Sequence, residues 1–106
     1  MKTQHIVILV TAKNKKEASQ IALRLLESKL IACANIIDGV QSMFRWQGKI
    51  DSSKEVLLIL KTKKSLFKKV SIKVKSIHSY QTPEIIALPI INGSADYLTW
   101  INASCA

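Results

Sequence analysis

Continuous apolar runs and apolar residues at helical spacing take turns along this chain. His5 to Ala12 (HIVILVTA) is a β-branched run and predicts a strand, with Lys13 to Lys16 turning the chain after it. From Glu17 to Lys29 the apolar residues Ala18, Ile21, Ala22, Leu25 and Leu26 recur at helical spacing, which predicts a helix with one buried stripe. Glu17 near its start and Lys29 at its end suit the helix dipole. Leu30 to Ile37 predicts a second strand, which Val40 to Trp46 continues past a bulge or turn at Asp38-Gly39. Gln47-Gly48 is a turn signal, and the chain returns from Lys49 into a third strand over Glu55 to Lys61, making a long antiparallel hairpin. Ser65 is placed to cap a second helix carrying Phe67, Val70, Val74 and Ile77. Glu84 to Ile91 predicts a fourth strand, with Pro89 marking an edge position or a bulge. Ser94 to Ser104 predicts a short closing helix. The order is βαββαβ plus a terminal helix in one domain over residues 1–106, an α+β sandwich with an antiparallel sheet.

These strands lack the alternation of a sheet that faces water on one side. IVILV, VLLIL and IIALPII are apolar on both faces, and two helices cover only one. The expected cover for the other face is another copy of the chain, so a homo-oligomer is predicted; a ligand or partner protein is the alternative.

Composition sharpens this in three ways. At 106 residues and 48% hydrophobic, the chain suits one domain with its own core. The apolar run Ile6 to Val10 is too short for a signal sequence or a membrane span, which predicts a cytoplasmic protein. Net charge is +9, and seven lysines between Lys61 and Lys75 fall in a stretch with no acid from Glu55 to Glu84. Such a window reads as a solvated helix face or as an anion-binding surface, nucleic acid included.

Candidate chemistry concentrates in HSYQTPEIIALPI, His78 to Ile90. His78 and Glu84, six residues apart with Pro83 bending the chain between them, are candidate metal ligands. The competing reading of His78 is a cap or packing group at the end of the second helix, and that of Glu84 is a hydrogen-bonded carboxylate. Cys33 reads as a small core hydrophobe and Cys105 as exposed; His5 is polar at the start of the first strand. Tyr80, Trp46 and Trp100 read as interface rings. No Ser/His/Asp or Cys/His set has a recognisable spacing, so an enzyme is not expected. The βαββαβ order also belongs to RNA-binding RRM domains, but their third strand carries stacking aromatics and EVLLILK carries none.

Five stretches occur together in one order: Leu30 to Ile36 (LIACANI), Ser42 to Ile50 (SMFRWQGKI), Lys61-Thr62, His78 to Ile85 (HSYQTPEI), and Gly93 with Tyr97 to Ile101 (YLTWI). In this the chain resembles the CutA family of divalent-cation tolerance proteins, and it looks like the bacterial branch. The resemblance implies a ferredoxin-like fold, a tight homotrimer whose long hairpins pair across subunits, and a role in tolerance to copper and other divalent cations. It would set the Glu84 carboxylate at a subunit boundary. It also implies a shape like that of the PII signalling proteins, hence a second functional reading as a regulatory trimer binding a ligand or protein partner. Relatives with a copper site place a cysteine where this chain has Val10, and two adjacent histidines where it has Ile77 and His78. Neither valine nor isoleucine carries a lone pair, so His78 alone is retained from that set.

Overall fold

A computed structural model describes residues 4–106. Strand β1 (His5–Ala12) leads into helix α1 (Lys15–Glu27), the hairpin β2 (Cys33–Trp46) and β3 (Lys49–Lys63), helix α2 (Phe67–Ile77), strand β4 (Ile85–Pro89) and helix α3 (Ala95–Ser104). The strands form one antiparallel sheet in the order β2-β3-β1-β4. This is the expected ferredoxin-like arrangement. β4 lies at an edge, paired only to β1, and ends at Pro89, where a missing N–H costs no ladder bond.

The core lies between the sheet and the two long helices. Alternate residues of β1 (Ile6, Ile8, Val10, Ala12) and of β3 (Val56, Leu58, Leu60) meet Ala18, Ile21, Ala22 and Leu25 of α1 and Val70 and Val74 of α2, all buried. Each large side chain in this layer gains about 1.5–3 kcal/mol from leaving water.

Local chemistry fixes the connections, and several boundaries differ from expectation. α1 starts two residues before Glu17, because Asn14 is extended and its side chain accepts the Glu17 N–H at 2.8 Å. The helix ends at Glu27, not Lys29. Lys29 turns left-handed (φ 57), its N–H bonding Leu26 O at 3.0 Å and the Leu30 N–H bonding Leu25 O at 3.0 Å, a Schellman closure. Leu30 to Ala32 then link α1 to β2 without forming strand. Ser65 caps nothing: residues 64–66 form a turn of 3-10 helix that runs straight into α2. Gln47 and Gly48 both have positive φ (51 and 77) between the paired residues Trp46 and Lys49, the two-residue turn that matches strand twist. The predicted irregularity at Asp38-Gly39 is a bulge, with Gly39 at φ 76.

The second face of the sheet carries Val7 and Leu9, Leu57 and Ile59, and Ile86 and Leu88. The last two are each 51% exposed. α3 rests against β3, with Ile101 wholly buried, and His5 Nε2 at the start of β1 lies 2.9 Å from Asn102 Oδ1 of α3. Beyond the sheet the hairpin arm exposes Met43, Trp46 and Ile50.

Candidate functional site

The segment from His78 to Glu84, which joins α2 to β4, is held by long-range hydrogen bonds. α2 ends when His78 turns extended, its N–H still reaching Val74 O at 2.9 Å. The His78 ring then crosses to β1, where Nε2 donates to the Thr11 carbonyl at 2.7 Å. Its Nδ1 accepts the Tyr80 N–H at 3.0 Å. That pairing defines a neutral ring protonated at Nε2. Tyr80 lies beside the ring, centroids 4.7 Å apart, and its hydroxyl donates to Glu55 Oε2 at 2.8 Å. Burial and the Glu55 carboxylate push the Tyr80 phenol well above its usual range.

Glu17 locks the base of this segment. It is only 8% exposed, and its two oxygens accept the Lys13 N–H at 3.3 Å and the Ser79 N–H at 2.9 Å. Burial alone raises its pKa, but the bonds from Ser79 and Lys13 outweigh burial and leave the carboxyl below its ordinary value. One carboxylate thus ties the β1–α1 turn to the α2–β4 segment.

Between this segment and the hairpin arm lies a cleft of about 630 Å³. Phe44 and Trp46 from β2 and Tyr80 supply aromatic walls. Asp51 and Glu55 from β3 and Glu84 supply carboxylates, with Thr11, Ser53, Gln81 and Thr82 between them. Three of the seven acidic residues of the chain line this one cleft, and no lysine, arginine or histidine does, among the described residues. The hairpin register explains the grouping. Phe44 pairs with Asp51 and Ser42 with Ser53 on one face, while Arg45 pairs with Ile50 and Gln41 with Lys54 on the other.

The residues expected to carry chemistry are distributed as follows. His78 has both ring nitrogens engaged, so coordinating a metal would require breaking one of its two backbone bonds. Glu84 is exposed on the cleft wall, just before β4 rather than within it. Val10 is wholly buried and pairs with Leu58 and Ile85, and Ile77 packs on the core. No group of three His, Cys, Asp or Glu side chains among the described residues is arranged to hold a metal ion. The donor set of a single chain therefore does not fit a tight metal centre.

Cys33 is half-buried rather than core, with Lys61 Nζ 3.9 Å from its sulfur, and Tyr97 beside it. Cys105, expected to be exposed, is half-buried 3.7 Å from Thr62 Oγ1, because the Ala106 N–H is tied to Lys29 O. Trp46 and Trp100 remain largely exposed. Residue type and spacing do not mark Glu55, Asp51 or Thr11 as site residues, and they mark Glu17 only as a helix-dipole partner; Asn14-Lys15-Lys16-Glu17, an N-cap with a glutamate three residues on, is the local signal for its further role.

Comparison with known proteins gives a consistent answer. Residues 6–104 match the family model described as CutA1 divalent ion tolerance protein. The chain is 43% identical over 102 residues to the divalent-cation tolerance protein CutA of Escherichia coli, covering 96% of this chain and 91% of that protein. It is 42% identical over 99 residues to the chloroplastic protein CutA of Arabidopsis thaliana, covering 93% of this chain but 54%, about half, of that longer protein. Among solved structures, the divalent cation tolerance protein of Thermus thermophilus matches with a TM-score of 0.94 at 40% identity, covering 96% of this chain and 99% of that one.

Proposed function

The chain belongs to the CutA1 divalent ion tolerance family, and from that premise we propose that it acts in divalent-cation tolerance as a non-enzymatic, cytoplasmic homotrimer. The observation that carries the assembled form is the apolar second face of the sheet, where Ile86 and Leu88 stand half-exposed beside Val7, Leu9, Leu57 and Ile59. A face of this kind favours burial against a like surface. Copper is the cation the family resemblance suggests. In this reading a single chain holds it weakly at most, through His78 and Glu84, since the His78 ring is committed to backbone. The response to the cation then rests on the assembled protein.

Two measurements test the reading together. Sedimentation at micromolar concentration should give a trimer, and a well-folded monomer would refute the assembly. Expression in a host lacking its own relative should restore growth under raised copper or another divalent cation; unchanged growth would refute the tolerance role. A second reading, a regulatory trimer that holds a small ligand, is favoured by the cleft between the hairpin arm and the His78–Glu84 segment.

A further inference from the structure

We propose that the cleft binds a linear aliphatic polyamine. The proposal deepens the ligand-binding reading above and does not depend on metal tolerance.

Charge supports it first. In a chain of net charge +9, Asp51, Glu55 and Glu84 share one cleft with no basic side chain lining it among the described residues. Lys49, opposite Trp46, stands at the hairpin tip, and Arg45 and Lys54 belong to the far face of the arm. The side chains lining the cleft in a single chain are thus acidic while the chain as a whole is basic, and a cation is the complementary guest.

The arrangement of the carboxylates narrows the class. They line the same cleft, yet no three such groups among the described residues are arranged to hold one metal ion. Spread charges are matched by a ligand whose own charges are spread. Phe44, Trp46 and Tyr80 supply what a hydrated metal ion has no use for: apolar surface for methylenes and ring faces for ammonium groups. A volume of about 630 Å³ lies in the range of small-ligand sites and admits an extended chain of this size. Glu55 holds Tyr80 through one oxygen, so the ring is fixed before any ligand arrives.

The test is titration calorimetry with spermidine on the purified, assembled, full-length protein in metal-free, low-salt buffer. Saturable binding is expected, with Asp51→Asn and Glu84→Gln each weakening it by about five- to tenfold and the pair removing it. Both residues are exposed, so the variants should keep the fold; circular dichroism and sedimentation check this. Asp38→Asn, at the bulge and outside the cleft lining, removes the same charge and should leave binding within about twofold. Choline, with one charge, should bind at least about tenfold more weakly than spermidine. Equal weakening by Asp38→Asn, or no saturable heat at millimolar spermidine, overturns the proposal. A neutral or anionic compound taking the cleft instead would overturn it while sparing the ligand-binding reading; no small molecule binding at all would remove both.

Discussion

Replacing His78 with alanine separates a structural histidine from a metal ligand. The ring donates to Thr11 O at 2.7 Å and accepts the Tyr80 N–H at 3.0 Å. Each such bond contributes about 1 kcal/mol net, and more where its orphaned partner stays dry. The Thr11 side chain is buried and Tyr80 half-buried, so we expect a loss of about 2–3 kcal/mol. For a chain of this length that lowers the melting temperature by roughly 8 °C or more. The assay is denaturant and thermal unfolding of parent and variant at one fixed protein concentration, since self-association couples to stability. It is run in chelator and again with copper. The structural role predicts the same deficit in both buffers. A variant within about 0.5 kcal/mol of the parent in chelator, with copper stabilising only the parent, would refute the geometry argued here and restore the ligand role.

Three further outcomes follow from named contacts. Glu17 has a lowered pKa, so its stabilisation is complete above the ordinary value of 4.5 and is lost as pH falls through the lowered one; Glu17→Gln should flatten that part of the acid unfolding curve, and parent and variant should converge at the acid end. Lys29→Gly relieves a left-handed backbone at φ 57 and should raise stability by about 0.5 kcal/mol in urea titrations, with an unchanged slope. Ile86→Lys with Leu88→Lys alters two residues that are each 51% exposed in the single chain, so secondary structure by circular dichroism should persist while sedimentation shifts to the monomer.

The fold was legible because its signals are local. The β-branched run of β1, the continuous apolar run of β3, the alternation over Val40 to Trp46 and the 3.6-residue stripes of α1 and α2 locate these elements, and the Gln47-Gly48 and Asp38-Gly39 punctuation reflects backbone φ that the structure contains. Boundaries slipped where a competing local motif took over: Asn14 started α1 early, Lys29 closed it with a Schellman turn, and a 3-10 turn displaced the Ser65 cap. The site was less legible. His78 and Glu84 attract notice by residue type and proximity in sequence. The bonds that define the site join residues far apart, His78 to Thr11 across 67 positions and Ser79 to Glu17 across 62. No window of sequence contains those pairs. The apolar residues at positions 10 and 77 are likewise packed core positions, which single-residue reading registers only as missing ligands.

The composition of the cleft traces to one residue. Along β2, side chains up to Ile37 alternate in step with β3, where Ile37 lies opposite Leu57 on the open face of the sheet. Unbroken alternation would carry that face through residues 39, 41, 43 and 45, and would turn Met43 and Arg45 toward Glu55. The bulge inserts one extra residue, so that Val40 lies opposite Glu55 and the set becomes 40, 42, 44 and 46. Phe44 and Trp46 thereby join Asp51 and Glu55, and Arg45 goes to the other side. Gly39 permits this with φ 76, a value that side chains with a Cβ rarely adopt, and Asp38 Oδ1 accepts its N–H at 2.8 Å. On β3 the same alternation runs from Ile59 and Leu57 to Glu55 and on to Ser53 and Asp51. The apolar open face and the acidic, aromatic cleft are therefore one continuous surface. A second copy covering the first would lie directly against the second, which places the cleft at the edge of the proposed assembly rather than apart from it.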